Sequence, residues 1–316
     1  MDAAERTAIA SLQGTVAARI AAEGASPWNA RRIAAGELLA AVNHAWRTVH
    51  ARDPAAYERD LGRLNTLAGW PRGDHAQVAA WRSSQGETLL MPPKFFGGDP
   101  LALDERFVAS ISLNHAVLKD DTFCVELRDQ QSEIECLSAH REYFARDYAY
   151  KRFFVPRALV LHAYASRAGR ANVPALEDWR ALNRSFGFYI EAFPTRSRKF
   201  KTAQPSAAPA VLAREVFVCG LNAIVHDVVL HLLRPQRVLL AGRSTWDVWP
   251  DPELTSHGTK VTLRAATAFP CPVFRERATS TLSGVTVVVV RTNFLKTVYG
   301  PNSTDELTRL GRDVLA

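Results

Sequence analysis

Apolar positions recur at helical spacing through residues 9–20, 30–49 and 55–67, and the intervening positions are small or polar. The pattern predicts three amphipathic helices. Ser26-Pro27 and Asp53-Pro54 supply cap and first-turn signals ahead of the second and third. Met91-Pro-Pro-Lys-Phe-Phe-Gly-Gly-Asp-Pro100 then breaks the pattern with turn-forming residues. Residues 1–92 are therefore read as a helical accessory region, or equally a packing shell, and residues 93–316 as a second unit.

In that second unit the period changes. Four short, nearly continuous apolar runs at 107–113, 186–193, 237–241 and 285–290 read as strands buried on both faces. Helical stretches separate them at 134–148, 156–167, 176–183 and 208–233. Strands alternating with helices predict an α/β fold with a largely parallel sheet. A weaker strand pair is placed at 260–265 and 272–277, and 303–315 reads as a closing amphipathic helix.

Composition changes this picture little. With 47% hydrophobic and 22% charged residues the chain is ordinary for a folded domain. Thirty-nine basic against 32 acidic residues leave a net charge of +7, which favours a polyanionic partner. Cys124, Cys136, Cys219 and Cys271 form no C-x-x-C pair, so no metal site or other cofactor is expected. The apolar window at 216–233 carries Asn222, His226, Asp227 and His231 and does not suit a membrane span. The N-terminal residues MDAAERTAIASLQ lack the basic start and unbroken apolar run of a secretory peptide, and a cytoplasmic chain is expected.

Ligands of open parallel sheets lie beyond the carboxyl ends of the strands. The residues there are Asn114 and His115 after the first run, and Glu191 and then Phe193-Pro194-Thr195-Arg196-Ser197-Arg198-Lys199 at the second. Gly242-Arg243-Ser244-Thr245-Trp246 follows the third and Arg291-Thr292-Asn293-Phe294-Leu295-Lys296 the fourth. A solvated loop explains the basic run Arg196, Arg198, Lys199, Lys201 as simply as phosphate binding does. Asn114 could serve only as a turn former, and His115 could simply bond to backbone. Glu191 is the pointed case, because a carboxylate inside an apolar strand must be paired or lie near a site. Gly242-x-Ser244-x-Trp246 lacks the second Gly of a nucleophile elbow, so serine hydrolysis is rejected.

Taken in order, Phe-Gly-Gly-Asp-Pro, a strand ending Ser-Leu-Asn, Tyr-Ile-Glu-Ala-Phe-Pro-x-x-Ser, Val-Leu-Leu-Ala-Gly-x-Ser-x-Trp and a Val-rich strand with an Asn-containing turn resemble the uracil-DNA glycosylase superfamily over roughly residues 93–316. The resemblance implies a central four-stranded parallel sheet flanked by helices, and hydrolysis of the N-glycosidic bond of a flipped-out base in DNA. It implies that Asn114 positions water, that Phe123 or Phe193 stacks on the base, and that the turn 291–296 meets the leaving base and wedges a side chain, Leu295, into the duplex. Arg291 and Lys296 would flank that wedge on the DNA. Three departures point away from uracil. Asn114-His115-Ala116 lacks the Gly and Pro that often surround this position; Asn293 stands in a loop that usually carries His; and Glu191 replaces the base-reading Asn. A modified base is expected, with a hypermodified phage base such as glucosylated hydroxymethylcytosine as the extreme, in an antiviral role.

Chemically, such a reaction needs placed water, negative charge near an oxocarbenium-like sugar, and donors for the departing base. Asn114, Glu191, and His115, Arg243 or Asn293 could fill these roles in that order. The rivals are a catalytically silent nucleic-acid binder and a nucleotide or nucleoside hydrolase.

Overall fold

The computed structural model describes residues 1–51, 53–70, 80–82, 88–90, 93–112, 115–116, 151–197, 205–242, 245, 254–263, 273–280, 286–292 and 303–315. A seven-stranded mixed sheet organises it. In chain order its strands are β3 (Phe96–Gly97), β4 (Val108–Ser112), β6 (Gly187–Glu191), β8 (Arg237–Ala241), β9 (Leu254–Leu263), β10 (Val273–Ser280) and β11 (Thr286–Thr292). Two-residue strands β5 (His115–Ala116) and β7 (Arg196–Ser197) pair separately, and β1 (Ala80–Arg82) and β2 (Thr88–Leu90) form a hairpin.

The spatial order is β3-β6-β4-β8-β11-β10-β9. Its centre, β6-β4-β8-β11, is parallel throughout. These are the four apolar runs read from the sequence, so the α/β class holds. The block sits inside a larger sheet: β3 closes one edge antiparallel to β6, and β10 and β9 extend the other edge as an antiparallel pair. That pair answers to the weaker strands expected at 260–265 and 272–277. The short β3 lies inside the Gly-Gly-Asp-Pro punctuation read as a boundary.

Alternation along the parallel strands divides the core into two layers. Ala109, Ile111, Phe188, Ile190, Val238, Leu240, Val287 and Val289 face one cluster. Val108, Leu239, Val288 and Val290 face the other. The first layer is covered by α1 (Ala3–Glu23), α2 (Trp28–Trp46), α3 (Pro54–Leu67), α6 (Pro209–Glu215) and α7 (Phe217–Asp227). Residues on both sides of position 92 share this cluster, including Ile9, Leu12, Val16, Leu39 and Leu61 from the N-terminal helices. The second layer is covered by α4 (Lys151–Arg167), α5 (Trp179–Phe186) and α8 (Ser303–Arg309), the last running on through a π-helical turn at Leu310–Leu315.

The single helix expected over 208–233 is two helices bent by 119°. Val216 between them is extended (φ −120°, ψ 120°). No Gly or Pro marks the break. Asp60, fully buried on α3, makes it, because its carboxylate accepts from the amides of Phe217 (2.8 Å) and Val218 (3.0 Å) and caps the second helix from across the chain. Among the described residues no single helix is long and apolar enough to cross a membrane.

Asp60 belongs to a buried ionic tie between the N-terminal helices and α7. Arg63 pairs with Asp60 (3.2 Å) and Glu5 (2.9 Å), and the Glu5 carboxylate meets His50 Nε2 at 2.9 Å. Burial pushes the Asp60 carboxyl above its ordinary range against the pull of the two amides. For Glu5, burial acts in the raising direction but is outweighed by hydrogen bonds from His50, the Asp2 amide and Arg63, which hold the carboxyl below its ordinary value. The signs differ. Glu5 contributes stability that is complete above its unfolded value and is lost as pH falls through its lower folded value, whereas Asp60 costs stability as pH rises through its range. Glu5→Gln is therefore expected to lose less stability than the native chain between about pH 6 and about pH 3.5 in denaturant melts, and an equal loss in both would remove Glu5 from the acid response.

Candidate functional site at the carboxyl ends of the parallel strands

In the parallel ladder Ser112, the last residue of β4, lies beside Glu191, the last of β6. The two chains stay together past the strand ends. Ala192 N donates to Ser112 O (2.7 Å), and further on His115 is in register with Arg196 and Ala116 with Ser197. The segment after β4 and the segment after β6 thus leave the sheet side by side. The neighbouring ends of β8 and β11 are tied as well. Gly242 N donates to Thr292 O (2.9 Å), with φ +105° at Gly242, a conformation that favours glycine. Thr245 Oγ1 then donates to Ala241 O (3.1 Å) and starts the next turn.

Glu191 is 5% exposed. Its strand parity places it with Tyr189, on the face of the sheet shared with Ser110 and Ser112. Basic groups gather on the same face. Arg157, on α4 and only 2% exposed, donates from Nη2 to Ser112 Oγ (3.3 Å), and its guanidinium lies 5.9 Å from the centre of the Tyr189 ring. Lys94 is 3% exposed. Its amide donates to Pro194 O (2.6 Å), and its ammonium lies 3.7 Å from where a Cβ on Gly97 would stand, as does Tyr189 Cβ. Burial drives the Tyr189 phenol far above its ordinary value, with Arg157 pulling the other way, so it remains a donor and binds Asn183 Oδ1. Asn183 is held in turn by Phe154 O (3.2 Å) and Trp179 O (2.6 Å).

From the other face, α7 satisfies the end of β6. Asn222 Nδ2 donates to Glu191 O (2.9 Å) and Ala192 O (3.1 Å), and His226 Nε2 lies 3.2 Å from Glu191 O. The backbone that carries Glu191 is therefore anchored from the first layer, while Arg157 holds its ladder neighbour Ser112 from the second. Beneath the middle of the strands, short of their carboxyl ends, a cavity of about 10 Å³ is lined by Val108, Ser110, Arg157 and Tyr189 among others. That is room for about one water and far too small for a nucleobase.

Of the sequence-predicted site residues, the structure brings Glu191 next to the backbone that leads into Asn114, and brings His115 and Arg196 into register. Phe193 is 4% exposed and packs edge-on against Trp70 with ring centres 5.1 Å apart, in the first core layer. Arg291 shares the face of Val289, two residues before it, and so lies on the face opposite Glu191. Asn114, Phe123, Arg198, Lys199, Lys201, Arg243, Asn293, Leu295 and Lys296 lie outside the described residues, as do the side chains of His115 and Arg196. Lys94, Arg157, Ser112 and Tyr189 were missed by sequence reasoning. The available signal was an arginine inside the apolar stripe Val155-Pro-Arg-Ala-Leu-Val160, a charge where a helix facing a sheet should carry none.

A mixed α/β sheet with ionisable side chains buried at its carboxyl-end pole is what fold and site define together. No family model, curated protein or solved structure matches the chain. Among the described residues no group of three or more His, Cys, Asp or Glu could hold a metal ion.

Proposed function

We propose that the chain is a DNA glycosylase, related in architecture to uracil-DNA glycosylases, that hydrolyses the N-glycosidic bond of a flipped-out modified base. The observation that carries this reading is the parallel register of β4 and β6. It sets Glu191 beside Ser112 and keeps the following segments paired through His115 and Arg196. Ser112, Glu191, His115 and Arg196 therefore belong to one end of the sheet, and the reading assigns the amide at 114 and the basic run that follows 196 to the same site. The central block of four parallel strands supports the architecture that the resemblance implies.

In this reading Asn114 orients water through its side-chain carbonyl. As the bond lengthens, its electron pair leaves with the base, and the water oxygen bonds to the sugar carbon while its proton passes through solvent to the departing anionic base. Glu191, as its carboxylate, offsets the positive charge on the sugar. His115, Arg243 or Asn293 donates to the departing base, while Arg196, Arg198, Lys199 and Lys201 hold phosphates and Leu295 fills the gap in the stack. A carboxylate in place of a base-reading amide suits a base that presents an extra donor, hydroxymethylated or glycosylated bases included.

The test is incubation with duplexes carrying uracil, hydroxymethyluracil, hydroxymethylcytosine or glucosylated hydroxymethylcytosine. Freed base is read by mass spectrometry and abasic sites by alkali. Release from a modified duplex that falls by about 10²-fold or more in Asn114→Ala is expected. Binding without release would favour a silent binder. Turnover of free nucleotides with DNA intact would favour a nucleotide hydrolase.

A further inference from the structure

On the sheet face that carries Val288 and Val290, arginines from β8 and β10 flank β11, from the amino ends of the parallel strands to their middle. Val288 on β11 is in register with Arg237 on β8 on one side and with Arg277 on β10 on the other. Arg275 sits two residues along β10, in register with Val290. Val288 and Val290 point into the second core layer, and directly opposite residues in a ladder share a face. The three guanidiniums therefore rise from the same face of the sheet. Arg237 and Arg277, two strand spacings apart, have α-carbons separated by roughly 10 Å.

The elements around them add charge of the same sign. Arg237 donates to Leu315 O, which brings the C-terminal turn to this pole. Arg309 and Arg167 both lie close enough to Asp313 to depress its carboxyl, although Arg312 is its direct partner, at 2.7 and 2.8 Å. Asp104 at the same pole is taken by Arg170. The nearby acids are thus already paired, and among the described residues neither Arg275 nor Arg277 has a carboxylate partner. Arg277 is exposed and Arg275 half-buried. Like charges held this close destabilise a fold unless something outside it neutralises them.

We propose that this arginine face is a second nucleic-acid contact that grips the phosphate backbone without reading sequence. Planar guanidinium forks at fixed positions on a rigid sheet suit phosphate oxygens. A lipid surface is the poorer fit. The exposed large apolar side chains among the described residues are Ile33, Val155 and Leu176, and none belongs to this face. Arg275 and Arg277 lie four strands across the sheet from Glu191, so the contact serves to hold nucleic acid near the protein. It stands whether or not the carboxyl-end pole excises a base.

The experiment is fluorescence anisotropy of the full chain with an unmodified, arbitrary-sequence duplex of about 30 base pairs over a salt series. Arg275→Ala/Arg277→Ala is expected to reduce the slope of log K against log salt by about two, and to weaken binding about tenfold or more at moderate salt. Arg277→Glu alone should weaken it further than Arg277→Ala. The duplex here carries no modified base and the readout is binding alone, so failure of the glycosylase reading and failure of this one are separable. Thermal melts of the variants should match or exceed the native chain, because removing these arginines relieves repulsion among like charges. An unchanged slope and affinity in the double variant would overturn the proposal. So would binding to anionic vesicles by a chain that ignores the duplex.

Discussion

Glu191→Gln is expected to slow base release by about 10²–10³-fold at saturating protein, with the affinity for substrate duplex nearly unchanged. The change keeps shape and burial and removes one negative charge. Glu191 is embedded at the end of β6, its backbone carbonyl anchored by Asn222 and His226 and its ladder neighbour Ser112 held by Arg157. A charge fixed in this way needs no reorganisation as the sugar becomes positive, and the low-dielectric setting keeps its field unscreened. The loss should fall on the chemical step, because ground-state binding rests on the basic run and on stacking. Single-turnover rates beside equilibrium affinities separate the two. A variant that loses affinity but keeps its rate would make Glu191 a binding residue.

The largest structural effect is expected at the other end of α7. Asp60→Ala removes the acceptor for the Phe217 and Val218 amides, and leaves them buried at a helix start that no local side chain caps. A loss of about 2–4 kcal/mol is expected in urea melts, from the missing cap together with two unsatisfied donors. The raised carboxyl of Asp60 shows that burying this charge already has a cost, which keeps the figure from going higher. Asp60→Asn retains one acceptor and should fall between. Because α7 also carries Asn222 and His226 beneath β6, the alanine variant should loosen the strand end that presents Glu191. Amide exchange at Glu191 and Ala192 should therefore quicken in step with the loss of stability. Stability equal to the native chain would mean that the 119° bend is set by packing alone.

What was legible in the sequence was whatever depends on short-range pattern. The parallel strands are buried on both faces, so they read as unbroken runs such as FVASISL and VTVVVV, and their positions were recoverable. The bend at Val216 was not, because its cause lies on α3, 157 positions from Phe217 in the chain. β3 was hidden for a related reason. Two residues cannot show a period, and their strand character comes from pairing with the edge of β6. The same limit applies at the site. Glu191 announced itself as a charge in an apolar strand. Lys94 was masked by the prolines before it, and Arg157 by the helical stripe it interrupts. Only the fold brings these basic residues beneath the same strand ends.

The most direct measurement is photocross-linking from a duplex that carries a light-activated base analogue at the target position, with the attached peptide mapped by mass spectrometry. Attachment within residues 112–116 or 187–197 is the expected result, because these segments leave the sheet side by side. Attachment confined to the amino-end pole, such as 277–280, or no attachment by a chain that binds the duplex, would contradict a base pocket at the carboxyl ends of the strands.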